Sequence, residues 1–436
     1  MSRHADVLVR RPTKPTRAVS AVSTTAGPDD TDKRQRALLI VRVWPWRSQS
    51  GGCQRIRMLR DAMAMTSTVD LLVLTPEEIH DWTCRALDGY DQAHHLRVSQ
   101  RSRFGAHRLL SFICGDSVAQ AIRTRRYSRP FVKNLVRQRR YAVVLTVRED
   151  CFLSVGRMPS TANVVDVDDV THVVVRRWRR LGRDERGEPL RRAGRFHSWV
   201  REVVYRAVHR YVGSRADRTV YASAHDARRA QLARHRAQIS VVPNAVPEGT
   251  RAPATTRVRS AGAAIVLFQG LMLYGPNTDG AHWFVREVWP SLREAVDGGA
   301  SFHIVGRHNG ALSALEGEAG VSVVGEVEDM ASELADAALV VVPIRVGGGT
   351  RIKILEALAA GVPVVSTSVG AEGLALRHGV DLLVADDPRE FAAECARLLS
   401  DEALRNRVVA AGGMRVHELY RRQAVVAEAS RLFVGG

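Results

Sequence analysis

The sequence predicts an α/β chain built as two doubly wound parallel-sheet domains that face each other across a cleft. Short apolar runs alternate with helix-period segments over most of the 436 residues, the pattern of βαβ units feeding a parallel sheet. The alternation is written twice, on either side of a polar stretch, residues 247–262, "PEGTRAPATTRVRSAG", that reads as a linker. A glycine-rich loop also follows one strand of the second series, at the strand end where such sheets bind ligands.

The elements fall in order along the chain. Residues 1–35 mix Arg, Lys, Pro, Thr, Ser and Asp with few large apolar side chains, the composition of a disordered basic tail. A buried strand is expected at 37–43, then a glycine turn and a helix with Ile56, Leu59 and Met63 on one face. Further strands are expected at 69–74, 141–146, 163–167, 218–222 and 239–242. The second series has strands at 264–268, 302–305, 321–324, 339–343 and 362–366. A long helix from about Pro276 buries Ala281, Phe284, Val285, Val288 and Leu292, which share one face at helical spacing. The expected domains are therefore 36–247 and 248–420, with 421–436 a closing helix that can return to the first domain.

Composition narrows the class. Hydrophobic content of 45% and charged content of 25% are those of a soluble globular protein, and no apolar run nears the roughly 18–20 residues of a membrane span. Arg10 and Arg11 have no apolar segment behind them, so no export signal is read and a cytoplasmic location is expected. Five scattered cysteines without a C-x-x-C pair argue against a disulfide framework or a zinc site. Lys+Arg of 64 against Asp+Glu of 46 gives +18, a surface that favours nucleic acid, an anionic membrane face or phosphorylated substrates. No RRM, KH, zinc-finger or basic-zipper signature is present, so no specific nucleic acid is expected. The arginine block 176–195, "RRWRRLGRDERGEPLRRAGR", precedes a helix with Phe196, Trp199, Val200, Val203, Val204, Ala207 and Tyr211 on one face. Such a segment can lie on an anionic membrane or pack into a core with its basic side solvated; both remain open.

The chemistry centres on "VGGGTRIKILEALAAGVPVV", residues 346–365. Ile352, Leu355 and Ala359, with Ile354 and Leu358, mark an amphipathic helix with Thr350 as N-cap and Gly361 as stop. Arg351 and Lys353 then sit in the first turn, where the helix dipole disfavours a cation by about 0.3–1 kcal/mol. A bound anion removes that cost, because free N–H groups, dipole and both cations act on it together. Gly347, Gly348 and Gly349 let the backbone approach closely. The loop is neither G-x-G-x-x-G nor a P-loop, and an ordinary turn with solvated cations is the alternative.

In the first half, "VVDVDDVTH" brings Asp166, Asp168, Asp169 and His172 to a strand end, where carboxylates or an imidazole could orient or deprotonate a substrate hydroxyl. Helix capping is the rival role for the aspartates. Asp166-Val-Asp168 also satisfies a D-x-D metal pattern that is frequent by chance. Gly51, Gly52 and Arg55 either approach a phosphate or substrate, or form a tight turn with a solvated arginine.

Several stretches taken in order resemble the family 4 glycosyltransferases of the GT-B fold, especially the branch of bacterial polysaccharide sugar transferases. They are "GGCQR", "VVDVDDV", "ADRTVYASAHDARR", "VVPNAV", "LFQGLMLYGPNTDGAHWFVREVWP", "FHIVGR", "VVGEVEDM" and the glycine-loop segment. The resemblance implies two Rossmann-like domains, a nucleoside-diphosphate sugar on the C-terminal one, and a glycan or lipid-linked acceptor on the N-terminal one. Transfer would proceed with retention at the anomeric carbon and without a cofactor or metal. It places Gly270, Gly347, Gly348, Gly349, Thr350, Arg351, Lys353 and Glu356 on the donor, with Glu356 at the ribose rather than paired to Lys353 at i,i+3. Asp168, Asp169 and His172 become catalytic candidates, Gly51, Gly52 and Arg55 an acceptor or phosphate loop, and Pro243 and Asn244 the domain junction. Two departures stand out: Gly348 replaces the first glutamate of the family's Glu-x7-Glu pair, and "GLMLYGPN" lacks the arginine and lysine common after that strand. Alternatives are a non-catalytic basic GT-B scaffold that binds polyanions or nucleic acid, or a GT-B epimerase or phosphorylase. A phosphorylase needs a lysine for pyridoxal phosphate, and no convincing lysine is present.

Overall fold

β-Branched and leucine runs such as "ALLIV" and "LVVV" leave no polar face, so they form strands covered on both sides. In the computed structural model, residues 21–25, 34–46, 48, 50–77, 90–98, 105–159, 161–185, 187–233, 235–250 and 263–434 are described. The chain divides into two compact units, Met1–His172 with Trp199–Val242 and Val426–Gly436, and Val173–Ser198 with Pro243–Val425. The boundary nearest the expected 247/248 thus falls at Val242/Pro243, a few residues earlier, and the arginine block joins the second unit. Most of the expected linker, residues 251–262, lies outside the described residues.

The first unit holds an eight-stranded sheet in the order β1-β4-β3-β2-β5-β6-β7-β8. Its strands are β1 (Ala21–Thr25), β2 (Gln35–Val41), β3 (Ser67–Thr75), β4 (Gln92–Arg97), β5 (Val143–Val147), β6 (Ala162–Val167), β7 (Arg218–Tyr221) and β8 (Gln238–Val241). All pairings are parallel except β1 on β4. Two of these strands were not expected. β1 lies in the stretch read as a tail, where Val, Ser and Thr suit an edge strand. β4 carries His94 and His95, both 5% exposed, which masked its apolar pattern. The helices along this stretch of chain are α1 (Gly51–Ala64), α2 (Gly105–Cys114), α3 (Asp116–Arg139), α4 (Glu149–Val155), α5 (Thr171–Arg180), α6 (Arg192–Arg215) and α7 (Ala224–Leu232), of which most of α5 and the start of α6, up to Ser198, belong to the second unit. The core gathers Leu38, Ile40, Leu72, Val132 and Val144 with Tyr141.

The second unit holds a six-stranded, all-parallel sheet in the order β11-β10-β9-β12-β13-β14. Its strands are β9 (Ala264–Gln269), β10 (Ala300–Val305), β11 (Val321–Gly325), β12 (Leu339–Val342), β13 (Val364–Ser366) and β14 (Leu383–Val384). The helices are α8 (Gly275–Trp283), α9 (Trp289–Ala295), α10 (Met330–Asp336), α11 (Ile352–Ala359), α12 (Ser368–Ala371), α13 (Pro388–Ser400) and α14 (Glu402–Tyr420), followed by α15 (Arg422–Ser430). The long helix expected from Pro276 is α8 and α9 joined by a π turn, Phe284–Val288, just ahead of Pro290, which lacks the N–H a continuous α-helix would use. Its apolar face is buried as expected, with Phe284, Phe302, Trp289 and Phe391 in edge and tilted ring contacts.

Both sheets reverse direction beside their first parallel strand. The chain runs outward from β2 and returns to place β5 on its other side, and it repeats this with β9 and β12. Ligands of doubly wound sheets bind at such switch points, outside the carboxyl ends of the strands.

Candidate functional site

At the β9/β12 switch point, β12 runs through Pro343 into a loop whose residues 346–350 are all buried. Gly347 has φ +155 and Gly349 φ +63, and a Cβ on Gly347 would run into the Arg351 guanidinium. The three glycine carbonyls are taken by arginines. Arg177 Nη1 donates to Gly347 O, and Arg351 Nη1 donates to Gly348 O and, at 3.0 Å, to Gly349 O. Among the described residues, the N–H groups of Gly347, Gly348, Gly349 and Thr350 donate to no protein acceptor. Buried backbone donors are almost always paired, and these four, in residues that are themselves buried, leave a row of donors available to an anion. Arg351 Nη2 is likewise buried with no partner.

Thr350 does not cap the helix as expected. α11 begins at Ile352 with Arg351 at the N-cap position and no side-chain cap bond, because the Thr350 hydroxyl accepts from Asn244 Nδ2 at 2.8 Å instead. Asn244 thus pins the loop to the chain just after Pro243. The helix stops at Gly361, φ +74, as its sequence suggested.

Lys353 projects from the first turn of α11 under the end of β9. Its ammonium donates to Asn277 Oδ1 at 2.9 Å and lies 4.5 Å from the centre of the Phe268 ring. Burial, then Arg351, push it down to about 7 against the pull of Glu356. A Cβ on Gly270 would meet Lys353 Nζ at 2.7 Å and Asn277 Nδ2 at 2.8 Å, so Gly270 serves by leaving room. The cation that "GLMLYGPN" does not carry is therefore delivered from α11. Gly306, at the end of β10 with φ +139, packs its Cα face on the Gly270 carbonyl, where a Cβ has no room.

Glu356 accepts from Gln269 Nε2 at 2.9 Å, and Gln269 Oε1 is buried without a partner. Sequence reasoning did not pick out Asn277, Gln269 or Arg177. Asn277 and Gln269 lie in the quoted segment "LFQGLMLYGPN"; nothing in the sequence ties Arg177 to a loop 170 residues away. Arg345 is held by Asp279 at 2.6 Å and stacks 5.7 Å from Trp283, bracing the run into the glycine loop.

The β2/β5 switch point of the first unit is a separate cluster. Gly51 and Gly52 open α1 exposed, and Gly52 lies beside the Asp168 carboxylate. Arg55 departs from expectation: it is 1% exposed and turned inward, bidentate on Asp166 at 2.6 and 2.9 Å and donating to Val242 O at 3.1 Å. A guanidinium so enclosed cannot reach a ligand, and it occupies the Asp166 carboxylate of the D-x-D triplet. Asp168 keeps 29% side-chain exposure, 3.7 Å from Arg55 Nε. Asp169 shares a small cavity of about 20 Å³ with Glu149, Arg148 and Tyr205. The Glu149 carboxylate pairs with His209 Nδ1 at 2.5 Å, and the His172 ring lies 5.3 Å from that of His209. Glu149 and His209 were missed; the signal available was Glu149's place just after an apolar strand. Among the described residues no group of three His, Cys, Asp or Glu is gathered for a metal.

α6 buries Glu202, Tyr205, His209, Val212 and Gly213. The apolar face expected to pack or to meet a membrane is turned outward, with Phe196 66%, Trp199 48% and Val203 43% exposed. Among the described residues no helix is long and apolar enough to cross a membrane.

Residues 263–401 match the family model described as glycosyl transferases group 1. The D-inositol 3-phosphate glycosyltransferase of Thermobispora bispora is 41% identical over 98 residues, 21% of this chain and 23% of that one. The chain spans about a third or less of the length of the curated relatives it matches. Among solved structures, Anabaena HepE in complex with UDP and glucose has TM-score 0.60 at 12% identity, covering 91% of this chain and 99% of that one. WaaG, a glycosyltransferase involved in lipopolysaccharide biosynthesis, has TM-score 0.60 at 14% identity, covering 92% and 100%. At such identities the likeness is one of fold, the two-domain GT-B arrangement of parallel sheets.

Proposed function

We propose that the chain, whose residues 263–401 match the group 1 glycosyl transferases, moves a sugar from a nucleoside-diphosphate sugar to a glycan or lipid-linked acceptor, with retention, in cell-surface polysaccharide or glycolipid synthesis. The observation that carries this reading is the row of N–H groups in the buried residues Gly347 to Thr350, which have no acceptor among the described residues, beside Arg351 and Lys353. A pyrophosphate supplies the acceptors these donors lack. As the bond from the anomeric carbon to phosphate oxygen breaks, charge grows on the leaving diphosphate, and preorganised donors and cations stabilise it there. The acceptor oxygen bonds to the same carbon, and its proton passes to the departing phosphate.

Glu356, steadied by Gln269, offers a carboxylate to the two ribose hydroxyls. On the first unit, Asp168, Asp169 and His172 would bind the acceptor hydroxyl, with Gly51 and Gly52 leaving backbone room. Phe196, Trp199 and Val203, exposed among arginines on α6, support attachment at the inner, anionic face of a cell membrane. Co-sedimentation that does not depend on anionic lipid would remove that part.

The first test is a thermal-shift series with UDP, GDP, ADP and dTDP, for wild type and Lys353→Ala together. UDP leads, since HepE carries it. A nucleotide at a hundred times its Kd stabilises by about 2.7 kcal/mol. Stabilisation by one nucleotide, lost in the variant, is expected; no response to any of them would leave a non-catalytic basic scaffold that binds polyanions.

A further inference from the structure

We propose that Arg177 is a positioning residue of the nucleotide site, aiming the Gly348 amide by holding the Gly347 carbonyl. Its sequence context, an arginine block, suggested only a solvated or membrane-facing charge. In the structure it is mostly enclosed: Arg177 and Glu372 side chains are each 17% exposed, and Arg177 Nη2 donates to Glu372 Oε1 at 2.7 Å while Nη1 donates to Gly347 O. One guanidinium thus bridges a fixed carboxylate just after α12 and a backbone oxygen of the glycine loop.

The consequence follows from peptide geometry. In a planar trans peptide the C=O of one residue and the N–H of the next point in opposite directions. Holding the Gly347 carbonyl sets the Gly348 N–H; holding those of Gly348 and Gly349 sets the N–H groups of Gly349 and Thr350. Arg351 does the second and third, and Arg177 does the first. Between glycines a peptide plane turns easily, since no Cβ restricts it. Without Arg177, the Gly347–Gly348 plane loses the one side-chain anchor it has among the described residues, and the Gly348 amide, second in the row, is no longer aimed. Glu372 fixes the fork of Arg177 and neutralises it, so Arg177 acts on the loop rather than as one more free cation.

The inference rests on the nucleoside-diphosphate reading of this site, and its test separates the two. UDP, or whichever diphosphate the wild type binds, is titrated calorimetrically into wild type, Arg177→Met, Arg177→Lys and Glu372→Gln, with the unliganded melting temperature of each. Arg177→Met is expected to raise Kd about tenfold with the unliganded melting temperature unchanged. Arg177→Lys, which cannot span both acceptors, should fall between, and Glu372→Gln should weaken binding about threefold. Wild-type affinity in Arg177→Met, or a loss that tracks a lowered melting temperature, overturns the proposal. Should Arg177→Met not fold, Glu372→Gln decides alone: unchanged affinity overturns it. A wild type that binds no nucleoside diphosphate defeats the underlying reading instead.

Discussion

Lys353 shows how one side chain links packing to ligand chemistry. Its ammonium sits near the Phe268 ring and Asn277, and burial, then Arg351, lower it from 10.5 to about 7. At pH 8 it is therefore mostly neutral until a phosphate dianion draws a proton onto it. Binding at pH 8 should take up close to one proton, read as a buffer-dependent calorimetric enthalpy, and affinity should fall as pH rises through 7. Lys353→Ala should abolish the uptake; a wild-type enthalpy independent of the buffer would contradict the assignment. The linkage to stability has the matching sign. With the folded value below the unfolded one, the unfolded chain holds more protons between pH 7 and 10.5, so this group's contribution to stability rises across that window. Arg351→Ala, which removes charge-assisted bonds worth about 1.5–3 kcal/mol, should weaken diphosphate binding roughly ten- to hundredfold without lowering the melting temperature. The placement of these cations was legible because a helix start with the wrong charge is a local anomaly. That of Arg55 was not, since its partner Asp166 lies 111 residues away and nothing local marks an arginine as buried.

At the scale of elements, the strand ends carry the site. Gly306 and Gly270 touch with no space for a methyl, so Gly306→Ala should cost about 1–3 kcal/mol through strain at a positive φ and displace the turn that houses Lys353. Urea unfolding with an unchanged midpoint would count against this. Most strands could be read from apolar runs alone, and the glycine loop fell at the strand end where it was expected. Thr350 was misread because a side chain from elsewhere, Asn244, competes for its hydroxyl. For α6 two readings stayed open because periodicity finds the apolar face of a helix but not which face the protein covers; here Glu202, Tyr205 and His209 are buried, with His209 paired to Glu149, and the apolar face is left outside.

At the scale of the molecule, the two units have separate cores, so calorimetry should resolve effects by unit. Arg55→Met leaves Asp166 buried and unpaired, which costs about 3–5 kcal/mol and should lower melting of the first unit by roughly 6–20 °C while the second keeps its own. A uniform shift of both would be inconsistent with independent cores. The order in which the chain supplies these units has a further effect. The first unit includes Val426–Gly436, where Phe433 is fully enclosed and Leu432 O accepts from Arg218 at 3.4 Å. A ribosome therefore finishes the whole second unit before it delivers the last piece of the first. Early strands wait through synthesis of nearly everything downstream, and a premature stop after Val425 would injure the half of the protein translated earliest.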